Sequence, residues 1–263
     1  MTASFVDIHC HILPGIDDGP GDWDESLAMA RQAFEDGTTT IIATPHQLGS
    51  YGCNDGDAIR RGVAELGQRL AAAGVPLKVQ PGADVRVDGR LVEQLLSGEA
   101  LTLGDHRRHV LLELPHELYL PLEPLLERLG RFNITAILSH PERNEGILRR
   151  PGVLEPLVEA GCLMQITAGS LCGSFGEACQ RLAETLVARG LVHFVATDGH
   201  GAKSRRPLMR GGYERVIELG GVEMAAALCR ENPALVAAGQ PVPAGRNECE
   251  PADRPWWRPK RAA

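Results

Sequence analysis

A short apolar segment near the start of the chain reads Phe5-Val6-Asp7-Ile8-His9-Cys10-His11. Its apolar pattern predicts a buried β-strand, with His9 and His11 at the carboxyl end. Because side chains repeat every two residues along a strand, both imidazoles would project to the same side. The segment therefore predicts a strand that carries two potential metal ligands.

Six further apolar runs follow, and helical patterns lie between them. The runs cover residues 39–43, 77–84, 109–114, 135–140, 162–167 and 193–198. Helices are predicted from Asp22 or Asp24 to Gly37 and near residues 57–73, 119–131, 152–160, 175–189, 211–219 and 222–230. Apolar strands separated by helices are typical of a parallel sheet buried on both faces. Seven such units predict an α/β fold with a closed or nearly closed barrel. A doubly wound sheet is the alternative, but no Gly-x-Gly-x-x-Gly loop follows the first strand.

The length of 263 residues suits one large domain. From about Gln240 the composition changes, with five prolines and the segment Trp256-Trp257-Arg258. We expect residues 1–240 to form the barrel domain and residues 241–263 to form an irregular Pro/Trp/Arg-rich C-terminal tail.

Charge and composition argue against several classes of protein. The net charge of −7 provides no basic surface for nucleic acid. No apolar run approaches the ~20 residues that cross a bilayer, and the first residues lack a signal-peptide pattern. We therefore expect a cytoplasmic protein without membrane insertion. The seven cysteines form no Cys-x-x-Cys pair, and none has an arginine six positions later, so a disulfide framework and thiol-based phosphatase chemistry are not expected.

Potential metal ligands recur where the predicted strands end. The candidates are His9, His11, Asp18, His46, Asp84, Glu113, His140, Asp198 and His200. An isolated His-x-His usually combines one core histidine and one surface histidine, but the repeated placement favours a shared site. In βα barrels the carboxyl ends of the strands converge on the functional site. Nine ligands suit two or three divalent ions, and imidazole with carboxylate suits Mn, Zn or Fe.

The charges of this site favour a phosphate ester as substrate. Four carboxylates only partly offset the six positive charges of three divalent ions, which leaves positive charge for a phosphate dianion. Arg143 and Arg205 follow metal-bearing strand ends and could hold phosphate oxygens, with Arg86 and Arg206 as competitors. Hydrolysis of a phosphate ester is the predicted chemistry.

The first motif runs from Asp7 to Gly19 in the order Asp-Ile-His-Cys-His-Ile-Leu-Pro-Gly-Ile-Asp-Asp-Gly. It resembles the opening signature of the polymerase and histidinol phosphatase (PHP) superfamily. More narrowly, it is similar to the bacterial manganese-dependent tyrosine-protein phosphatases of capsule and exopolysaccharide clusters, the CpsB/YwqE type. Further matching motifs are Ala43-Thr44-Pro45-His46, Ser139-His140-Pro141-Glu142-Arg143, Gln165-Ile166-Thr167-Ala168-Gly169-Ser170 and Thr197-Asp198-Gly199-His200. The resemblance spans about residues 5–240.

This resemblance implies a distorted (β/α)7 TIM-like barrel, the PHP fold, that binds three metal ions, with manganese favoured. The implied ligand sets are His9, His11, Asp84 and Asp198 for one ion, Asp84, Glu113 and His140 for the second, and Asp18, His46 and His200 for the third. The implied catalytic residues are Arg143, Arg205 and Asp198. The implied substrate is a phosphotyrosine protein, the tail of a bacterial tyrosine kinase that controls polysaccharide export.

Two positions depart from the family pattern. The bridging ligand is usually glutamate in a Gly-x-Glu run, whereas this chain has Gly82-Ala83-Asp84. Aspartate is one methylene shorter, so metal spacing, rate and metal preference would change before the site itself is lost. The chain also has Asp198-Gly199-His200 where Asp-Ala-His is common.

Three other functions compete with the tyrosine phosphatase. A small-molecule phosphomonoesterase such as histidinol phosphatase is the nearest, but the Leu13–Gly19 continuation favours the capsule-type branch. An amidohydrolase would usually need a carboxylated lysine at a strand end, and Lys78 lies inside a predicted strand instead. A non-catalytic binding module would be expected to have lost ligands, while all nine positions here can bind metal.

Overall fold

The computed structural model describes residues 4–247 of the chain. The β-strands are β1 (Phe5–Cys10), β2 (Thr38–Ala43), β3 (His46–Gln47), β4 (Lys78–Pro81), β5 (Asp84–Arg86), β6 (His109–Glu113), β7 (Thr135–Ser139), β8 (Leu163–Thr167) and β9 (Phe194–Ala196). The α-helices are α1 (Trp23–Asp36), α2 (Gly56–Ala72), α3 (Leu91–Ser97), α4 (Glu123–Gly130), α5 (Glu145–Arg149), α6 (Leu154–Glu159), α7 (Ala168–Leu171), α8 (Glu177–Ala188), α9 (Arg210–Ala226) and α10 (Asn232–Ala237). Strands and helices thus alternate along the chain, as the sequence predicts.

The strands form two parallel sheets. One has the order β1-β2-β4, and the other has the order β3-β5-β6-β7-β8-β9. Every strand pair within the two sheets is parallel. The predicted α/β class is confirmed, whereas a single closed barrel stays a prediction.

The predicted strand over residues 77–84 is divided between the two sheets. Its first part is β4, which pairs with β2, and its second part begins β5, which pairs with β3 and β6. The break falls at Gly82, where a Cβ atom would lie 2.6 Å from Ile42 Cγ2. The preceding β2–β3 break contains Pro45, which has no N–H to donate to a sheet. The single predicted strand is therefore two strands, because the chain changes its hydrogen-bonding partner strand where the Gly82 backbone closely approaches Ile42.

The carboxyl end of β1 lies beside the segment that follows β9. The Asp198 N–H donates to His9 O at 2.8 Å, and the His11 N–H donates to Gly199 O at 2.8 Å. These bonds place the first and last metal-ligand motifs next to each other, although they are separated by almost 190 positions in the sequence.

Both faces of the strands are buried in apolar clusters. Residues that alternate along the strands pack either against the helices or into a smaller inner cluster. The inner cluster contains Val6, Ile8, Ile42, Leu103, Leu111, Ile137, Leu163, Phe194, Ala196 and Val236. Its members come from both sheets, so the two sheets share one core beneath the strand ends that carry the predicted ligands.

The helix ends follow the predicted signals where the helices are long. Asp22 caps α1 by accepting the Glu25 N–H at 2.9 Å. The predicted pair over 211–219 and 222–230 is separated at Gly221, which has a φ of 87°. The helices α3, α5, α7 and α10 are not predicted, because their four to seven residues provide too little periodicity.

No helix within residues 4–247 combines the length and the apolar character needed to cross a membrane. At the start of the predicted tail, residues 241–247 have no helix or strand, and the Asn247 N–H donates to Gly190 O at 2.8 Å. Residues 248–263, which include Trp256 and Trp257, lie outside the described residues. The division into a domain and a tail therefore stays a prediction.

Candidate metal centre

All nine predicted metal ligands gather at the carboxyl ends of the strands. Their ligand atoms form four groups, each within 4.8 Å: His11, Asp18, His46 and His200; His9, His11 and Asp84; His9, His140 and Asp198; and His46, Asp84 and Glu113. Four residues belong to two groups each, so the groups form one continuous cluster. This grouping has His140 with His9 and Asp198, whereas the family pattern joins it to Asp84 and Glu113.

The inner part of the cluster is built around His9 and Asp198. His9 Nε2 lies 3.2 Å from Asp198 Oδ1 and 3.7 Å from Asp84 Oδ2. His11 Nε2 lies 3.5 Å from Asp198 Oδ1. All four side chains are buried. The Nε2 atoms of His9 and His11 therefore lie close to carboxylate oxygens. Because nitrogen and oxygen ligands are grouped in this way, the region can bind a cation directly.

The surroundings of Asp84 show directly whether the residues of the cluster suit metal ions. Both of its carboxylate oxygens are buried and have no hydrogen-bond partner among the described residues. His46 Nδ1, which lies 3.5 Å from Asp84 Oδ2, also lacks one. A buried carboxylate without partners is costly unless a cation binds it. The residues therefore fit a bridging carboxylate between metal ions.

The outer part of the cluster is open to solvent. Asp18, whose side chain is half exposed, lies 3.3 Å from His200 Nε2 and 3.5 Å from His46 Nε2. His46 Nδ1 lies 3.7 Å from Glu113 Oε2. These contacts join Asp18, in the loop after β1, and Glu113, the last residue of β6, through one histidine ring.

The balance of burial and neighbouring charges lowers the pKa values of two members of the cluster, Asp198 and His140. Burial raises the pKa of Asp198, but attraction by His9, His140, Arg205 and Arg143 outweighs it and holds that pKa well below 3.8. Burial, together with the charge of Arg143, lowers the pKa of His140 to about 3. A neutral His140 is the form that can bind a metal ion.

Two arginines converge on Asp198. Arg143 forms an ion pair with Asp198 Oδ2, and Arg205 Nη2 lies 2.5 Å from the same oxygen. The Arg143 guanidinium also lies 4.2 Å from the centre of the Phe175 ring. Of the two competitors, Arg86 pairs with Glu113 at 3.2 Å, and Arg206 is exposed. Arg143 and Arg205 are thus held side by side at the edge of the cluster.

The backbone is strained at three of these positions. His140, Asp198 and Arg205 have φ values of 30°, 51° and 47°. Non-glycine residues rarely adopt positive φ, and each such residue costs about 1–3 kcal/mol. His140 and Asp198 follow the ends of β7 and β9, so two of the candidate ligands are held in backbone conformations that the surrounding structure must stabilise.

Two residues that orient the rings of His9 and His11 were not predicted from the sequence. Asp17 Oδ2 accepts a hydrogen bond from His11 Nδ1 at 2.7 Å, and Gln165 Oε1 lies 2.9 Å from His9 Nδ1. Such partners leave the opposite nitrogen of each ring free to bind metal. Asp17 stands directly before Asp18, and Gln165 is a polar residue in an apolar strand, so both positions carried a signal.

Two further buried carboxylates support the loops of the centre. Asp7 accepts hydrogen bonds from the Thr197 N–H at 3.0 Å and from the Thr197 hydroxyl. Glu142 Oε1 accepts from the Thr167 N–H at 2.9 Å and from the Ser170 hydroxyl at 2.7 Å. Asp7 therefore anchors the segment that carries Asp198, and Glu142 anchors the loop between His140 and Arg143.

The four remaining histidines lie away from the cluster's ligand groups. His109 and His193 are buried, and His193 Nδ1 accepts the Met164 N–H at 3.0 Å. His106 Nε2 lies 3.1 Å from Ala237 O, and His116 borders a small cavity beside His140. The cysteines Cys10 and Cys162 are buried free thiols.

Fold and site together define an α/β protein with parallel sheets and a candidate polynuclear metal centre at the carboxyl ends of its strands. The family model described as "Capsular polysaccharide synthesis, CpsB/CapC" matches residues 5–237. The chain belongs to this family.

Named relatives resemble the chain over most of its length. It is 41% identical over 202 residues to the tyrosine-protein phosphatase YwqE of Bacillus subtilis (strain 168), covering 76% of this chain and 79% of the relative. It is 27% identical over 240 residues to the tyrosine-protein phosphatase CpsB of Streptococcus pneumoniae, covering 89% of this chain and 99% of the relative. Among solved structures, one from a study of YwqE and CpsB, described as unique metal-dependent tyrosine phosphatases, superposes with a TM-score of 0.87 at 36% identity. It covers 92% of this chain and 99% of that chain.

Proposed function

We propose that this protein is a metal-dependent phosphatase that hydrolyses phosphotyrosine in a protein substrate. The observation that carries the proposal is the convergence of Arg143 and Arg205 on Asp198, beside a buried cluster of metal-binding side chains. Two guanidinium groups next to a polynuclear cation site suit a phosphate dianion. Homologues named as tyrosine-protein phosphatases support the same class of substrate.

The nine clustered residues would hold two or three divalent ions. Bound ions would supply Lewis acidity toward the phosphoryl oxygens and would activate water. Following the family pattern, we propose ligand sets of His9, His11, Asp84 and Asp198; Asp84, Glu113 and His140; and Asp18, His46 and His200. Manganese is the proposed metal, while Zn and Fe suit the same ligands.

The protein side chains would position the phosphate and stabilise its charge. Hydrolysis forms a bond from water oxygen to phosphorus and breaks the bond from phosphorus to the tyrosine oxygen. Arg143 and Arg205 would donate hydrogen bonds to the phosphoryl oxygens and stabilise their charge. A phenol has a pKa of about 10, so the phenolate leaves with little help from an acid. An alkyl phosphate would therefore react more slowly.

The proposed partner is the tyrosine-rich tail of a bacterial tyrosine kinase in capsule or exopolysaccharide control. The family's description names capsular polysaccharide synthesis. Such a substrate agrees with the cytoplasmic location expected from the sequence. We also propose that residues 1–240 form a distorted (β/α)7 barrel and that residues 241–263 form a separate tail.

Two other enzyme classes remain as competitors. Histidinol phosphate would also fit a metal and arginine site, so a small-molecule phosphomonoesterase is the nearest alternative. An amidohydrolase is disfavoured because Lys78 is exposed and begins β4, at the end of the strand opposite the metal cluster. A carboxylated Lys78 therefore could not bridge these ligands.

The decisive experiment compares phosphate release from a phosphotyrosine peptide and from histidinol phosphate. The protein is first stripped of metal and then reloaded with Mn. We expect hydrolysis of the peptide that stripping abolishes and Mn restores. Preference for histidinol phosphate would move the function to small-molecule metabolism, and no release from either substrate would refute the phosphatase assignment.

Paired arginine variants test the phosphate site. Arg205→Lys should raise KM for the phosphotyrosine peptide, because lysine cannot make a two-point contact with phosphate. Arg206→Lys is the matched control, since Arg206 is the exposed neighbour. Equal effects of the two substitutions would contradict the proposed role of Arg205.

A further inference from the structure

A tight turn holds Tyr51 against the ring of His46. The Tyr51 N–H donates to Leu48 O at 2.9 Å. The Tyr51 and His46 rings stack with centroids 5.1 Å apart and planes at 23°. Tyr51 is only partly buried, so an aromatic surface lies directly beside a proposed metal ligand. The metal chemistry described above does not use this ring.

The turn that carries Tyr51 is well anchored. The Leu48 side chain is buried although its φ is 66°, and Gly49 has a φ of 54°. A Cβ on Gly49 would lie 3.1 Å from Arg86 Cγ, so the turn packs on the stem of Arg86. Gln47, just before the turn, accepts the Leu101 N–H at 2.7 Å. The ring of Tyr51 is therefore positioned before any substrate binds.

A cavity of about 300 Å³ is lined both by Tyr51 and by members of the metal cluster. Its walls include His46 and Glu113, which belong to the cluster, and the Leu48–Tyr51 turn together with Arg86. For comparison, an engineered cavity of ~150 Å³ is large enough to bind benzene. This space can therefore accept a phenyl ring whose attached phosphate reaches the metal ligands.

We propose that Tyr51 is a specificity-determining residue whose ring packs against the aryl group of the substrate while the phosphate occupies the metal centre. This inference rests on the proposed phosphotyrosine phosphatase function and assigns the aryl-binding surface of that same site. Aromatic pairs favour offset or edge-to-face contact. One face of Tyr51 is against His46, so the ring's edge and remaining surface are the parts that meet the substrate. Arg86, which also lines the cavity, is paired with Glu113.

The test uses phosphonates, which the enzyme cannot hydrolyse. Phenylphosphonate and methylphosphonate share a head group and differ in the ring, and inorganic phosphate reports on the metal centre alone. Binding of each probe to the Mn-loaded protein is measured by calorimetry for the wild type, Tyr51→Ala and Tyr51→Phe. Phe132→Ala is the matched control, because Phe132 is 48% exposed and precedes β7 at the end away from the site.

We expect the wild type to bind phenylphosphonate more tightly than methylphosphonate. Tyr51→Ala should reduce that preference about 2- to 12-fold, the range of a single aromatic contact, while Tyr51→Phe and Phe132→Ala keep it. An unchanged preference in Tyr51→Ala would overturn the inference, even if binding of all three probes weakened through a disturbed His46. Absence of any preference in the wild type would overturn it as well.

Failure of the proposed function gives a different result. If the wild type prefers phenylphosphonate but does not hydrolyse a phosphotyrosine peptide, the aryl surface stands and the phosphatase assignment fails. If it hydrolyses the peptide while Tyr51→Ala retains the phenyl preference, the assignment stands and the role of Tyr51 fails.

Discussion

The carboxylate of Asp17 fixes the orientation of His11, and its replacement by asparagine should weaken metal binding. Asp17 Oδ2 accepts hydrogen bonds from His11 Nδ1 at 2.7 Å and from the His46 N–H at 3.0 Å. Its other oxygen accepts from the Gly19 N–H at 2.9 Å. An asparagine amide has only one oxygen. In either orientation its NH₂ group would face a donor that has lost its acceptor.

The magnitude follows from this geometry. The less costly orientation of Asp17→Asn keeps the oxygen toward His11 and leaves the Gly19 N–H unpaired, which costs about 1–3 kcal/mol. Loss of the negative charge also weakens the hold on the His11 ring. Removing such a partner of a metal-binding histidine typically reduces metal affinity by about 10- to 100-fold. That range corresponds to about 1.4–2.8 kcal/mol.

The assay is competition for Mn between the metal-stripped protein and a chromophoric chelator. Asp24→Asn provides the matched control, because Asp24 is exposed in the first turn of α1 and undergoes the same chemical change. We expect weaker binding only in Asp17→Asn. A folded Asp17→Asn protein with the Mn affinity of the wild type would refute the orienting role.

Three further results are expected. The double substitution His9→Ala and His11→Ala should abolish metal binding and turnover but leave a folded protein, as judged by metal analysis and circular dichroism; full activity would contradict the metal centre. Asp84→Asn should reduce metal content and turnover. The loss of turnover should exceed the loss of about 10- to 100-fold that is typical when a residue orienting a metal ligand is replaced; unchanged metal content would refute a bridging role. Burial lowers the pKa of His109 to about 4 from 6.5, so its protonation opposes folding. The free energy of unfolding of the metal-free protein should fall between pH 6.5 and pH 4, by at most about 3 kcal/mol. In denaturant titrations, the free energy of unfolding of His109→Leu should lack the part of this decrease that His109 causes. The same pH dependence in the wild type and in His109→Leu would contradict the role of His109.

The strand pattern was predictable from the sequence where burial alone specifies it. The segments at Phe5–Cys10, Thr135–Ser139 and Leu163–Thr167 are strands close to the predicted bounds, because each is largely buried on both faces. The run over residues 77–84 was wrongly predicted as one strand. Apolar character predicts burial, but it does not reveal a change of hydrogen-bonding partner in the middle of a run.

The clustering of the nine candidate ligands was predictable because metal-binding residue types recur at strand ends, and parallel strands bring those ends together. Asp17 and Gln165 were missed for a physical reason. A carboxylate or an amide near a ligand is equally able to bind metal, orient a ring or face water, and only its distance to a neighbouring nitrogen distinguishes these roles. Tyr51 was missed similarly, since nothing in its local sequence relates it to His46.

The sequence by itself determined the α/β class, the order of the longer strands and helices, and the nine candidate metal-binding side chains. These properties depend on local periodicity and on the chemistry of residue types. Tertiary structure alone decided the division into two sheets, the convergence of Arg143 and Arg205 on Asp198, the burial of Asp84 without a hydrogen-bond partner among residues 4–247, and the placement of Tyr51 over His46. The division into sheets and the contact of Arg143 with Asp198 join segments remote in the chain, whereas Arg205 and Asp198, like Tyr51 and His46, are fewer than ten residues apart. All of these contacts depend on the folded path of the backbone, which packing and backbone hydrogen bonds set and which local sequence patterns do not reveal.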